Sequence, residues 1–481
     1  MWLTGSALFL RAVSMMFQVY LSARMGAAGL GLLQLVTTVG GLAATMALAG
    51  GKIAAMYLIA RAAGRDDEAG VCSAVRCCLR YALVLSASVA ALLYLSAPLL
   101  ARRFVQDSDA LLSLRAYALL LPGGCLAAVM SGYCTARGRI RRQVLVELLE
   151  RFCSIALTVL LLRRADGGMA YSLFAIVAGG SAPAFLSFLL LYGFYLREQR
   201  CRAPLPRQPM LRSLLQISVP LALGDLLRSG LNTVEQFLIP YGLAKSSSRY
   251  LGLAAYGTIL GMVFPLMMFP AAVLHAAADL LVPELSRCAV RGQRERVRDL
   301  TGRVLLLAMR FAAGCAGFLF CAAGELGQLF YHSAEAGRFL RLLSPMVLFL
   351  YLDAIVDGML KGLGQQVHTV RYNTATNVID VLGLYALLPA FGIGGYIFTY
   401  SASHLVNFFL SLRKLLQVTD LHLSIRRQAA LLGAVLVCGA LASLLPARGV
   451  WDGLLLHGGG FLALFLTADR FSRSGRCPHR P

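Results

Sequence analysis

Polar and charged residues recur at helical spacing inside stretches of this chain that are otherwise apolar. Arg11, Ser14, Gln18 and Ser22 are spaced three, four and four apart, so they share one helix face. Asp225, Arg228, Asn232 and Glu235 repeat that arrangement at three, four and three. Asp353, Asp357 and Lys361 follow at four and four, Asn373, Asn377 and Asp380 at four and three, with His404 and Asn407 further on. A charge in hydrocarbon costs about 3 kcal/mol even on lenient scales, so each must face a partner or a wet cavity. Arginine meets phosphate through a planar, bidentate fork. Arg11 and Arg228 together suit one anion, and a diphosphate on a lipid carrier is a natural ligand. Gln18 and Asn232 add polar contacts on the same two faces, and Lys52 is expected as a vestibule charge. The plainer alternative is that Asp225 neutralises Arg228 one turn away and that Arg11 snorkels. Glu235, Asn377 and Asp380 offer oxygen ligands for Na+ or a proton relay, against the plainer reading of a helix–helix hydrogen-bond network. Glu147 and Arg151 read as an internal pair.

Enzyme motifs are missing. Gly50-Gly51-Lys52-Ile53 lacks the P-loop spacing and its Ser or Thr. Gly26, Gly29 and Gly31 are wrongly spaced for a dinucleotide turn. Asp353-x-x-x-Asp357 is similar to the acidic motif of membrane prenyltransferases, but no second copy follows, and Lys361 competes for its carboxylates. His275 and Asp279 are too few for a metal. No enzyme activity, cofactor or metal is expected.

The elements that must position these residues follow from composition. The chain has 481 residues, 58% hydrophobic and 14% charged, with mean hydropathy +0.70. A soluble domain carries about 25% charge. A soluble enzyme, a disordered chain and a secreted disulfide scaffold are therefore excluded. Fourteen apolar segments are expected, near 2–22, 30–50, 76–100, 112–136, 143–162, 169–195, 213–239, 251–281, 303–323, 339–363, 370–389, 393–412, 428–446 and 450–469. Backbone in lipid must be satisfied internally, and these long, unalternating runs point to helices rather than a barrel. The fold class is all-α integral membrane.

Placement of charge gives the orientation. With the N-terminus cytoplasmic, 29 of the 45 Lys and Arg fall in cytoplasmic connections and 11 in external ones. Both termini are then cytoplasmic, in a multi-pass protein of the cell membrane. The net charge of +22 reflects those loops, and nucleic acid is not an expected partner. Arg11 interrupts the first apolar run, which argues against a cleaved signal peptide. The twelve cysteines read as buried or reduced thiols rather than a disulfide framework.

The chain contains itself twice. Leu114-Arg115 recurs as Leu340-Arg341, and Gly132-Tyr-Cys-Thr-Ala-Arg-Gly138 as Gly358-Met-Leu-Lys-Gly-Leu-Gly364, all offset by 226. Leu10-Arg11 recurs as Leu227-Arg228, offset by 217. An even number of helices separates the copies, so the repeat is parallel. The expected organisation is an N-lobe at 1–196 with helices 1 to 6 and a basic cytoplasmic linker at 197–212. A C-lobe at 213–416 holds helices 7 to 12, and helices 13 and 14 with a cytoplasmic tail fill 417–481.

Several runs then resemble a known family. Gly26-Ala-Ala-Gly-Leu-Gly-Leu-Leu-Gln34, Ser131-Gly-Tyr-Cys-Thr-Ala-Arg-Gly138 and Val146-Glu-Leu-Leu-Glu-Arg151 resemble the stage V sporulation protein B family. So do Ser218-Val-Pro-Leu221, Asn232-Thr-Val-Glu235 and Leu281-Val-Pro-Glu-Leu-Ser286. That family belongs to the multidrug/oligosaccharidyl-lipid/polysaccharide exporter superfamily, close to the lipid II flippases. The resemblance implies two six-helix lobes, alternating access, and flipping of an undecaprenyl-diphosphate-linked saccharide, a peptidoglycan precursor for spore cortex. Arg11 matches the first-helix arginine of lipid II flippases. Two positions depart: Tyr256-Gly-Thr-Ile-Leu260 lacks the basic residue of their helix 8, and Lys52 replaces a common proline of sporulation relatives. The family's terminal helices form a groove for the lipid tail, which helices 13 and 14 are expected to supply. The expected partners are the lipid-linked oligosaccharide, the bilayer, a coupling Na+ or H+, and cell-wall synthesis proteins. The main alternative is a multidrug–cation antiporter of the same fold; a membrane enzyme and a non-transporting scaffold are further rivals.

Overall fold

Hydrocarbon offers no hydrogen bonds, so an apolar chain of this length closes its backbone within helices. The computed structural model describes residues 2–164, 168–198, 210–246, 249–421, 425–446 and 449–474, and among them there is no strand. Residues 199–209 of the expected linker, the tail from 475, Cys201 and Cys477 lie outside the described residues. The helices are α1 (Trp2–Leu48), α2 (Gly51–Ala63), α3 (Glu68–Leu99), α4 (Ala110–Ala136), α5 (Ile140–Arg163), α6 (Met169–Ser181), α7 (Pro183–Glu198) and α8 (Met210–Ser246). They continue as α9 (Arg249–Thr258), α10 (Phe264–Met268), α11 (Ala271–Val290), α12 (Arg294–Cys321), α13 (Ala323–Tyr331), α14 (Ala334–Gly362) and α15 (Gln366–Phe391). The last are α16 (Ile393–Thr419), α17 (Ile425–Ser443), α18 (Val450–Gly453) and α19 (Gly460–Ser474). Wider π-helical turns occupy Leu100–Val105, Ile259–Val263 and Leu454–Gly459.

Among the described residues, ten helical stretches are long and apolar enough to cross a membrane, with Ala430–Ser443 as a shorter apolar helix. The protein is an all-α, multi-pass membrane protein, and this measure stops short of the expected fourteen spans. The first stretch, Arg11–Ala63, contains two breaks. At Gly26, φ is 68° and ψ −179°, a conformation open essentially to glycine alone. The expected spans 2–22 and 30–50 lie on its two sides. Ala49 and Gly50, at φ 38° and 68°, separate α1 from α2.

The duplication is visible in the backbone. Asp66, Gln106 and Gly138 have φ of 55°, 57° and 70°. Gly292, His332 and Gly364, each 226 positions later, have φ of 68°, 49° and 74°. These left-handed residues end or separate helices, where glycine and aspartate tolerate the geometry best. Helix starts agree: α3 and α12 begin 226 residues apart, as do α5 and α15.

The chain forms two compact units, Leu32–Leu238 and Met1–Gly31 with Ile239–Pro481. In the first, α2, α3, α4 and α7 enclose a core that includes Ile59, Val75, Met130 and Tyr195. Gly132 lets α4 touch α2, because a Cβ there would lie 2.8 Å from the Lys52 carbonyl oxygen. One end is held by charge. Glu198 bonds to Arg142, to Arg139 at 3.1 Å and to the Tyr133 hydroxyl at 3.4 Å, and Arg137 pairs with Glu68.

In the second unit, glycines again set the closest approach. A Cβ on Gly257 would lie 1.9 Å from the Ala27 carbonyl oxygen, and one on Gly31 would lie 2.3 Å from that of Leu253. Small residues let membrane helices meet backbone to backbone. Phe461 and Phe465 of α19 stack at 5.8 Å and pack with Cys438 and Ala442 of α17 on Ala313 and Cys321 of α12. His457 joins this terminal layer to α13: Nδ1 is 2.8 Å from Glu325 Oε1, and Nε2 is 3.0 Å from the Leu445 carbonyl oxygen.

Candidate functional site

The stripe on the first part of α1 divides its tasks. Gln18 Nε2 donates to the Gly261 carbonyl oxygen at 3.2 Å, inside the π-helical turn Ile259–Val263. Such turns disturb the regular ladder and recur at functional sites. Ser22 is buried and donates back to Val19 of its own helix at 2.8 Å. Arg11 is half-buried. Tyr351 is 1% exposed; its hydroxyl donates to the Met267 carbonyl oxygen, and its ring stacks on Phe311 at 6.3 Å.

One turn beyond Arg11, on the same face, Met15 lines a cavity of about 550 Å³. That size is typical of small-molecule sites. Its walls come from α1, α10, α12, α13 and α19, among them Phe269, Phe318, Phe330 and Phe465. Among the described residues Arg310 is the charged one in this lining.

A polar cluster joins α14, α15 and α16. Asn407 Nδ2 donates to Asp353 Oδ2 at 3.0 Å, and Asn373 Nδ2 donates to Asp357 Oδ2 at 3.3 Å. Asp353 Oδ1, Asn407 Oδ1 and Thr369 Oγ1 are buried with no hydrogen-bond partner among the described residues. A carboxylate and an amide oxygen both accept only, so this spot calls for a donor or a cation. The four-residue spacing of Asp353 and Asp357 was the available signal. Their asparagine partners lie on other helices, which spacing along one helix does not reveal.

The expected cation ligands are distributed over both units. Asp380 is 5% exposed, and Asn377 is half-buried near it on α15. Glu235 lies in the Leu32–Leu238 unit, half-buried on α8. Among the described residues no group of three His, Cys, Asp or Glu is placed to hold a metal ion.

In the Leu32–Leu238 unit, Lys52 is exposed on the first turn of α2, and Arg228 and Asn232 are exposed on α8. Asp225 is also exposed, and it makes no ion pair with Arg228. The expected Glu147–Arg151 pair does not form. Glu147 Oε1 accepts from Gln143 Nε2 at 3.0 Å, and the neighbouring Glu150 accepts the Ser187 hydroxyl hydrogen bond at 2.5 Å. A shorter amide on the preceding turn reaches Glu147, while Arg151 remains exposed.

Known proteins share this architecture. Residues 1–288 match the family described as polysaccharide biosynthesis protein. Stage V sporulation protein B of Bacillus subtilis (strain 168) is 21% identical over 457 residues, 92% of this chain and 87% of that protein. Sporulation protein YkvU of the same organism is 21% identical over 278 residues, 56% of this chain and 62% of that protein. The lipid II flippase MurJ in an inward closed conformation superposes with a TM-score of 0.76 at 12% identity, covering 98% of this chain and 99% of MurJ. An inward-facing multidrug resistance MATE family transporter of the MOP superfamily superposes with a TM-score of 0.61 at 17% identity, covering 86% and 96%. The chain therefore shares the fold of these two transporters.

Proposed function

The chain belongs to the polysaccharide biosynthesis protein family, and on that premise we propose that it flips an undecaprenyl-diphosphate-linked saccharide across the cytoplasmic membrane by alternating access. The saccharide is a peptidoglycan precursor of the kind used in sporulation. The observation that carries this reading is Arg11. It is a half-buried guanidinium on a membrane helix, one turn from an apolar cavity. A fixed cation beside a greasy recess matches a ligand with a phosphate head and a hydrocarbon tail.

In this reading the parallel lobes run 1–196 and 213–416, and both termini are cytoplasmic. Arg11 and Arg228 attract the diphosphate, with Gln18, Asn232 and Lys52 as polar contacts along its path. The polyprenyl tail stays in lipid and against α17 and α19. Glu235, Asn377 and Asp380 are the candidate ligands for a coupling Na+ or H+, and within the second unit the oxygens of Asp353 and Asn407 offer an acceptor-only position of their own. Contacts with cell-wall synthesis proteins would deliver and collect the precursor. The chain carries out no chemistry on its ligand.

The test is transport in proteoliposomes. A fluorescent undecaprenyl-diphosphate disaccharide is placed in one leaflet, and its appearance in the other is followed by quenching. Wild-type protein should flip it, Arg11→Ala should lose most of the rate, and Arg11→Lys should recover only part. An Arg11→Ala variant as fast as wild type would sink the arginine mechanism. The acidic pairs on α14 favour a second reading, multidrug–cation antiport. Cation-gradient-driven export of ethidium, with no flipping of the lipid, would establish that alternative.

A further inference from the structure

His457 faces two acceptors. Its Nδ1 is 2.8 Å from Glu325 Oε1, and its Nε2 is 3.0 Å from the Leu445 carbonyl oxygen. A neutral imidazole carries one N–H, and neither an ionised carboxylate nor a carbonyl can donate. Two arrangements satisfy both contacts. Either the imidazole is doubly protonated, or Glu325 is protonated and donates to Nδ1 while Nε2–H donates to Leu445. Each holds one proton more than a neutral imidazole beside a carboxylate. Without that proton, one of the two contacts sets lone pair against lone pair. Glu325 Oε2 is buried with no hydrogen-bond partner among the described residues, so the carboxylate has no second anchor there.

The surroundings are fitted to this contact. His457 sits inside the π-helical turn Leu454–Gly459, and such turns recur at functional sites. A Cβ on Gly453 would lie 2.6 Å from Glu325 Oε1, so glycine leaves room for the carboxylate. The imidazole and the carboxylate are 20% and 15% exposed, which lets their proton exchange with solvent. Other titratable groups on the surrounding elements are Cys321 of α12, Cys438 of α17, Asp452 of α18 and Arg341 of α14. Cys321 Sγ turns to the Gly439 carbonyl oxygen at 3.9 Å, and Cys438 is buried. Asp452 and Arg341 are exposed, beside Gly449 and Gly324. Gly460–Ala468 of α19 carries no titratable residue.

The geometry points to the His457–Glu325 pair as a proton-held latch: protonated, it fastens α18 and the π-helical turn to α13, and losing the proton releases them. A histidine side chain ordinarily changes charge between about pH 5 and 8. The latch is closed at the acid end and loosens as pH rises. α19 follows the turn directly, and its Phe461 and Phe465 pack on α12, so release loosens the terminal layer as a whole. The device does not depend on what the protein carries.

Hydrogen exchange of the full-length chain in detergent tests it, with each rate divided by the intrinsic amide rate at the same pH. Losing one hydrogen bond to a charged group should cut protection over 454–468 by about tenfold to a hundredfold between about pH 5.5 and about pH 8.5. Segment 346–359 of α14, in the same molecule, is the reference and should keep its protection. Glu325→Gln separates a latch from a static pair. Its amide donates to Nδ1 of a neutral imidazole whose Nε2–H still donates to Leu445, so the contact needs no added proton. This variant should hold the layer equally at both pH values, and His457→Ala should be loose at both. Wild-type protection over 454–468 that stays constant relative to 346–359 would overturn the latch. So would a Glu325→Gln variant that loosens with pH as wild type does, or a His457→Ala variant as protected as wild type at the acid end.

Discussion

Replacing Gly257 with alanine puts a single methyl group where two helices touch. Its carbon would sit 1.9 Å from the Ala27 carbonyl oxygen and 2.5 Å from the Gly31 amide nitrogen. A tolerable C···O approach is about 3.3 Å, so the helices must part by roughly 1.4 Å. Both obstructing atoms are backbone, and no side chain can rotate away. Overpacking of this kind costs about 1–3 kcal/mol. At about 2–4 °C per kcal/mol, the unfolding temperature should fall by roughly 2–12 °C. The assay is thermal unfolding in detergent, followed by intrinsic fluorescence. Gly41→Ala is the companion variant: it lies inside α1, and a Cβ there meets nothing within 4 Å. It should hold stability or raise it by about 0.5–1 kcal/mol, since alanine suits a helix better than glycine. Gly257→Ala melting at or above wild type, or both variants moving alike, would refute the close crossing.

Other outcomes follow from the charged contacts. His457→Ala leaves the 15% exposed Glu325 side chain without its hydrogen-bond partner, at about 1–3 kcal/mol, and hydrogen exchange should quicken over 450–468. Unchanged exchange there would show that the terminal layer does not depend on this pair. Glu198→Gln should cost about 1 kcal/mol at low salt and less at high salt, read by denaturation of the full chain at two ionic strengths. Asp353→Asn removes the charge and keeps an oxygen near Asn407. Transport should persist but lose its dependence on the driving Na+ or H+ gradient, and retained dependence on that gradient would remove Asp353 from the coupling site.

Apolar runs predicted the helices where hydrocarbon dominates. The span expected at 112–136 is α4 at Ala110–Ala136, and the one expected at 393–412 continues to Thr419. Elsewhere the helices outrun the apolar signal. α3 begins at Glu68 and α12 at Arg294, because charged residues extend a helix into water as readily as apolar ones extend it through lipid. The π-helical turns left no trace in periodicity. The polar stripes were legible from spacing, but their partners were not. Asp353 meets a residue 54 positions away, and Gln143 takes the glutamate that Arg151 was expected to hold. Arg310 reads in the sequence as a lone charge in a span. Its surroundings come from five helices that only the folded chain assembles.

The corners shared by the two copies give this protein an internal control. Gly138 and Gly364 adopt the same left-handed bend, 226 residues apart, and neither has an atom within 4 Å of the space a Cβ would fill. A substitution at one measures backbone strain with packing removed, and the same substitution at its twin repeats the experiment in the other half of the molecule. Any difference between them reports how tightly each half holds its bend. One polypeptide thus compares the rigidity of its own two repeats, with no second protein needed as reference.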